Sequence, residues 1–459
     1  MSSTKEIAPR REAFALEAYF DRLWPLHRSI TGAGLRATLD ILAEIMPHAR
    51  LEVPSGTEVL DWTVPKEWVV RQAYLIRPDG RRFCDVGDNN LHLVNYSIPF
   101  RGRLRLDALQ AHLHSLPELP EAIPYITSYY APRWGFCLSH EEREALPEGD
   151  YEVVVDTDLV EGALSIAEAV LPGEVEEEVL LSSYTCHPSL ANNELSGPLV
   201  LSFLYRRLAA WPKRRLTYRF LLLPETIGSI AYLALHGRRL IRSLVAGYIV
   251  TCVGTAEPFV YKRSRQGGSQ ADRAAEAVLA ERAGERHRIA DFRPDRGGDE
   301  RQYNAPGFDL PVGCLMRSPS SSYAEYHTSL DNKDLISFEA MEETLDAYEA
   351  ICRALDGNRR YLNLAPFGEP QLGRRGLYGT LGDRRRPLER SALMWLLSDS
   401  DGDHDLLDIA ARSGLGPELL ISAAERLLDA GLLRSLATDE SARLPEPPDA
   451  LEGRRDAAA

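Results

Sequence analysis

No part of the sequence offers the run of about 18 apolar residues that a membrane-spanning helix needs. The N-terminal segment MSSTKEIAPRREAFALEAYF is charged throughout and lacks the apolar centre of a secretory signal. Cysteine is scarce and scattered. The six residues Cys84, Cys137, Cys186, Cys252, Cys314 and Cys352 form no C-x-x-C pair. That spacing argues against a disulfide framework or a zinc ribbon and reads as free thiols in a reducing compartment. Positive charge is also short, with 53 Lys and Arg against 68 Asp and Glu and a formal net charge of −15. Such a balance disfavours general affinity for nucleic acid or for anionic membrane surfaces. Repeats and low-complexity tracts are missing as well. The expectation is a soluble, cytoplasmic protein with no membrane partner and no nucleic-acid partner.

What the chain does contain is ordinary globular material, 44% apolar and 26% charged. At roughly 150 residues per unit, its length suggests about three folded parts. Residues 1–52 read as helical, because Leu16, Tyr19, Phe20 and Leu23 recur at helical spacing and a second such stretch runs from Gly34 to Ile45. Between them, Leu26-His27-Arg28-Ser29-Ile30-Thr31-Gly32 is a polar turn too elaborate for a plain linker. Residues 53–156 change texture. Short β-rich pieces such as Ala73-Tyr74-Leu75-Ile76 alternate with turn signals such as Pro78-Asp79-Gly80, predicting a small β-rich domain inserted into the main one. From 157 to 357 strand and helix alternate, which predicts an α/β fold with a mixed, mostly parallel sheet flanked by helices. Buried strands are expected at 179–184, 218–223, 247–250 and 311–316, and a long amphipathic helix over about 337–355. A linker rich in proline, glycine and arginine is expected at 358–387, then a winged helix-turn-helix at 388–437. The Pro- and charge-rich stretch 438–459 reads as a disordered tail.

Three segments can carry chemistry. Thr185-Cys186-His187-Pro188-Ser189-Leu190-Ala191-Asn192-Asn193-Glu194 follows a buried strand and opens a helix. Pro224-Glu225-Thr226-Ile227-Gly228-Ser229 sits at the end of the next apolar strand, where a partly desolvated carboxylate becomes a useful general base. Glu325-Tyr326-His327-Thr328-Ser329 is a polar turn before the long helix. Each alone has a bland reading: a capping loop, a first-turn acid favoured by the helix dipole, a structural histidine. Together they lie in one α/β domain whose ligand sites gather at the carboxyl ends of strands. Two imidazoles and a carboxylate form a common catalytic zinc set, with one position left for water. A further carboxylate to deprotonate that water gives metal-assisted hydrolysis.

The order of these segments resembles the zinc aminopeptidases. It is closer still to bacterial aminopeptidase-like proteins with a nested domain of unknown function and a C-terminal winged helix. Arg28-Ser29, Tyr129-Tyr130, Cys186-His187-Pro188-Ser189, Pro224-Glu225-Thr226, Gly298-Asp299-Glu300-Arg301 and Tyr326-His327-Thr328-Ser329 carry the likeness. The resemblance implies that His187 and His327 bind metal and that Glu225 is general base or ligand. It also implies that Tyr326 stabilises an oxyanion and that Asp299, with Arg301 and Asn193, shapes the substrate pocket.

Departures from the pattern bear on the metal. The resemblance leads one to expect a bridging aspartate where Asn193 stands, a second acid where Thr226 stands, and an aspartate at Thr251-Cys252. Their loss speaks against a two-zinc centre and makes Glu194 the replacement ligand beside His187 and His327. One Zn2+ ion is therefore expected, in a hydrolase of a small amide or peptide-like substrate. The alternative is a catalytically degenerate protein that keeps the fold to bind an amino-acid-like ligand or a protein partner.

The helix-turn-helix pattern at 388–437 invites a DNA-binding reading, and charge opposes it. Between Leu388 and Leu433 stand nine acids (Glu389, Asp399, Asp401, Asp403, Asp405, Asp408, Glu418, Glu425, Asp429) and three arginines (Arg390, Arg412, Arg426). Duplex binding rests on neutralising phosphates, so this unit is expected to contact protein, as a homo-oligomer or with another partner. In fluorescence anisotropy at physiological salt, random duplex DNA should stay unbound, while light scattering should give a mass above that of one chain. Salt-sensitive, sub-micromolar DNA binding by a monomer would reverse both expectations.

Overall fold

The computed structural model describes residues 11–319, 322–377 and 386–437, with Glu440, Ala442 and Leu444 beyond them. The expected disordered tail at 438–459 otherwise lies outside the described residues. Two amphipathic helices open the chain, α1 (Arg11–Leu23) and α2 (Ala33–Leu42). The strands that follow are β1 (Ala49–Pro54), β2 (Glu67–Ile76), β3 (Phe100–Arg105), β4 (Asp150–Val160), β5 (Ala163–Leu171) and β6 (Glu178–Tyr184). Next come α3 (Ser196–Ala209), β7 (Thr217–Leu223), α4 (Ile227–Ser243), β8 (Leu244–Val250), β9 (Phe259–Lys262), β10 (His287–Ala290), β11 (Val312–Met316) and α5 (Phe338–Gly357).

An eight-stranded sheet runs in the order β1-β5-β7-β6-β8-β11-β9-β10. Its centre, β7-β6-β8-β11, is parallel. The flanking pairs β1/β5, β5/β7 and β9/β11 are antiparallel. Every residue of β6 is buried, as a central strand covered on both faces requires. This is why Val179-Leu180-Leu181 reads as a continuous apolar run. Residues 53–156 contribute a separate antiparallel sheet, in which β4 lies between β2 and β3 and the two-residue strand Arg82–Phe83 pairs with β2. β1 crosses the expected boundary at 52/53 because Val53 pairs with Leu164 in the main sheet.

The chain divides into two compact units. One holds the residues up to Asp272 together with Glu285–Glu349, and the other holds Arg273–Gly284 and the chain from Ala350. The second contains β12 (Arg360–Asn363), α6 (Arg386–Asp399), β13 (Asp401–Asp405), α7 (Leu406–Ser413), α8 (Pro417–Asp429) and β14 (Leu433–Ser435). It is a winged helix. Asp405 and Asp408 form a capping box at the start of α7, Gly414 ends it in the left-handed region at φ 68°, and Pro417 opens α8. The segment expected as a linker, 358–387, departs from that reading. Arg360–Asn363 is the middle strand of the sheet β13-β12-β14, and Leu372 and Leu377 are buried in the core with Leu393, Leu396 and Leu427. Its prolines and arginines masked a four-residue strand too short to show a period. Among the described residues no helix is long and apolar enough to cross a membrane.

The first turn of α3 presses onto the sheet. A Cβ on Gly197 would stand 2.3 Å from the Val250 carbonyl oxygen and 2.5 Å from Ser183 Oγ. Only glycine lets the backbone approach that closely. Gly197→Ala should therefore lower stability by about 1–3 kcal/mol, the usual cost of overpacking, seen as a lower urea midpoint at an unchanged m-value.

Candidate functional site

Three strand ends and two loops converge at the carboxyl edge of the central sheet. After β6 the chain turns through Thr185 and Cys186 to His187, whose carbonyl accepts 2.9 Å from Arg28 Nε. The backbone N–H of His187 donates to Glu194 Oε1 at 2.9 Å, and its Nδ1 lies 2.8 Å from Glu194 Oε2. Glu194 sits in a π-helical turn, Ala191–Leu195, that leads into α3. The free N–H groups of this turn meet one carboxylate. Asn192 and Asn193 donate to Asp331 at 2.6 and 3.0 Å, and Ala191 reaches both the Asp331 carbonyl (2.8 Å) and its Oδ1 (3.1 Å). Burial raises the Asp331 carboxyl to about 6, against the pull of those N–H groups.

Glu225 ends β7. Its N–H points to Cys186 Sγ at 3.3 Å, and its Oε2 lies 3.6 Å from His187 Nε2. The side chain is 26% exposed, the more open of the two carboxylates on His187. Burial pushes its pKa up, with the nearby His187 opposing. Burial also works against charge on His187, but Cys186 and Glu194 outweigh it and hold the imidazole above its ordinary pKa. Thr226 takes a left-handed φ of 64°. Its N–H donates to Asp299 Oδ1 at 2.6 Å, an oxygen that also accepts from Ser229 Oγ at 2.9 Å. Asp299 is fully buried, and burial followed by the neighbouring Glu225 lifts it to about 8.

His327 completes the cluster. Its ring centroid is 5.2 Å from that of His187, and Tyr326 stacks on it at 3.9 Å. Burial, then the approach of His187, lowers its pKa to about 3, which keeps the imidazole neutral and its nitrogen lone pair available. Like Ser189, Thr226 and Cys252, His327 has positive φ although it is not glycine. Such conformations cost about 1–3 kcal/mol each and gather at functional sites.

The structure thus brings together His187, Glu194, Glu225, Tyr326 and His327. Asn193 and Asp299, expected in the substrate pocket, are both buried, and Arg301 is half-buried. Glu194 stands at the Nδ1 edge of His187 and Glu225 at the Nε2 edge. One imidazole therefore separates the two acids. The sequence pattern gives Cys186 no role, yet its sulfur, with ligand atoms of His187 and Glu194, falls in a group lying within 4.8 Å of one another. Arg28 and Tyr125 also surround His187; the polar turn at 26–32 signalled the first, and nothing in the sequence signalled the second.

These residues fit a cation. His327 Nε2 and Asn193 Oδ1 are buried polar atoms without a hydrogen-bond partner, and burying such atoms unpaired is costly. Imidazole nitrogens with side-chain oxygens suit zinc.

The fold and this cluster define an aminopeptidase-like α/β protein carrying a winged helix. Residues 17–358 match the model of a family described as a domain of unknown function, DUF4910, and the chain belongs to that family; residues 359–435 match a winged helix-turn-helix. A Clostridium acetobutylicum protein, named for polysaccharide biosynthesis and an aminopeptidase-like domain, is 42% identical over 415 residues, covering 90% of this chain and 94% of its own. A crystal structure from Clostridium acetobutylicum, named as a candidate peptidase, superposes with a TM-score of 0.87 at 40% identity over 93% of this chain and 97% of that one. The zinc aminopeptidase of Bacillus subtilis shares the fold at 11% identity, with a TM-score of 0.56 over 74% of this chain and 93% of that one.

Asp299 generates a pH-dependent expectation. A carboxyl raised from 3.8 to about 8 on folding holds its proton in the folded state after the unfolded chain has lost it. Its contribution to stability therefore falls as pH rises from about 4 to 8. In metal-stripped protein, Asp299→Asn should gain on the wild type in urea midpoint across that window. A gap between the two that does not change with pH would contradict the assignment.

Proposed function

We propose that the protein is a metal-dependent hydrolase of aminopeptidase or amidohydrolase type, acting on a small amide or peptide-like substrate with one zinc ion. The observation that supports it most is Glu225 Oε2 lying 3.6 Å from His187 Nε2, with the ring of His327 5.2 Å from that of His187. His187 and His327 would hold the ion, with the Asn193 amide oxygen as the third donor. Glu194 moves from the ligand role expected from sequence to an orienting one, because its carboxylate occupies the Nδ1 side of His187 and fixes the ring as outer partners of metal ligands do. When bound, the ion supplies Lewis acidity and lowers the pKa of water.

The chain's own groups account for the remaining steps. Glu225 takes a proton from the attacking water and passes it to the leaving nitrogen, a task its raised pKa suits. Burial raises the Tyr326 phenol, so it stays protonated and can donate to a developing oxyanion. Asp299 holds the Thr226 turn and with it the direction of Glu225. Arg301 marks the accessible side, where a polar or anionic group of the substrate would lie. The six buried free thiols suit a reducing, cytoplasmic setting, and the acidic winged helix suits protein contact over duplex DNA. A second reading, a non-catalytic ligand-binding protein, draws on the neutral Asn193 and Thr226 where acids were expected.

Zinc content and turnover of Glu225→Gln, measured together, test this. The substrate panel holds aminoacyl anilides and N-acyl amides, with an N-acyl sugar included because of the relative's name. Loss of about 10²–10⁴-fold in rate with full zinc supports the base, and loss of zinc makes Glu225 a ligand. Wild-type turnover removes Glu225 from the mechanism. A wild-type protein with neither zinc nor turnover favours the binding reading.

A further inference from the structure

The sheet formed within residues 53–156 is remote in sequence from both histidines, yet residues 122–130 of the same insertion run directly beside them. Ile123 N–H donates to Ser329 Oγ at 3.0 Å, and Ser329 N–H donates back to the Ile123 carbonyl at 2.8 Å. Pro124 and Thr328 form an isolated antiparallel bridge, and Tyr125 N–H donates 2.7 Å to the carbonyl of His327. This strap therefore holds the backbone of His327 in its left-handed conformation.

The Tyr125 ring then packs against both imidazoles. Its centroid lies 5.0 Å from that of His187 and 5.2 Å from that of His327, and the two imidazoles are 5.2 Å apart. The three rings make a nearly equilateral triangle. Tyr125 is only 7% exposed, and its hydroxyl bonds that of Tyr129 at 2.8 Å. The surface it turns to the histidines is thus its ring. Behind it, Tyr129 packs edge-on against Tyr96 at 5.2 Å, and Tyr96 OH bonds Thr31 Oγ1 at 2.6 Å. That chain ends in the polar turn whose Arg28 reaches the carbonyl of His187. Both histidine backbones are held by one buried network, and Tyr125 is its only member, among the ring contacts described, that faces both imidazoles.

We propose that Tyr125 is a positioning residue: its ring sets the separation and tilt of His187 and His327, so that the inserted segment completes the metal site of the aminopeptidase-like domain. This rests on the metal reading above, and its test separates the two. Tyr125→Phe keeps the ring, whereas Tyr125→Ala removes it and leaves the strap's backbone bonds in place. In the full chain, Tyr125→Ala should weaken zinc by about 10–100-fold, the usual effect of losing support behind metal ligands. The cobalt(II) visible spectrum should change with it. Tyr125→Phe should restore wild-type affinity and spectrum. Hydrogen exchange on the metal-free protein supplies a readout that needs no ion: Tyr125→Ala should speed exchange in peptides covering 186–194 and 325–331, with cooperative melting retained. Wild-type affinity and spectrum in Tyr125→Ala, or Phe failing as badly as Ala, would overturn the proposal. If the wild type binds no zinc, the metal reading fails by itself. Exchange then decides, and unchanged exchange in both peptides overturns the positioning role.

Discussion

The site depends on a carboxylate that never faces it. Asp331 is fully buried in the loop after His327, and it receives the first N–H groups of the π-helical turn that carries Asn193 and Glu194. Tyr323 OH adds a fourth donor at 3.1 Å. Each buried donor left unpaired would cost about 1–3 kcal/mol, so this one side chain binds the His187 loop and the His327 loop into a single object. A negative group at a helix N-terminus is favourable in its own right. Here it also fixes which residues of two distant loops can meet.

At three positions where the resemblance leads one to expect acids, this chain has Asn193, Thr226 and Thr251. Asn193 Nδ2 donates to Tyr184 OH at 3.3 Å, Thr251 Oγ1 donates to the Asn193 carbonyl at 3.0 Å, and Thr226 offers its N–H to Asp299. Packing several carboxylates in a buried space requires cations to offset their repulsion. Neutral side chains at those three positions keep that demand low. The retained acids are kept apart, Glu194 and Glu225 on opposite edges of His187 and Asp299 behind the Thr226 turn.

Much of this was legible in the sequence where local pattern reports on burial. The strands expected at 179–184, 218–223, 247–250 and 311–316 appear within a few residues of their places, because a central parallel strand must be apolar on both faces. His187, Glu225 and His327, which the structure brings together, stand at strand ends or in the polar turn before α5, places that local pattern marks. The side of His187 that Glu194 takes was not legible, since it depends on how the π-helical turn directs one rotamer. Tyr125 was hidden for a different reason. It meets residues 62 and 202 positions further along the chain, and no periodicity records a contact made by an insertion folding back on its host. The four-residue strand Arg360–Asn363 was lost among the prolines and arginines around it.

The left-handed backbones at Ser189, Thr226, Cys252 and His327 have a consequence for anyone who would redesign the pocket. A library built on side-chain size alone would treat these positions as free choices. A positive φ penalises β-branched residues most, and Thr226 is the β-branched residue among the four. Variation there is filtered by the main chain before chemistry is tested. The accessible repertoire of new specificities therefore lies in neighbours with ordinary torsions, while these four positions act as a fixed frame.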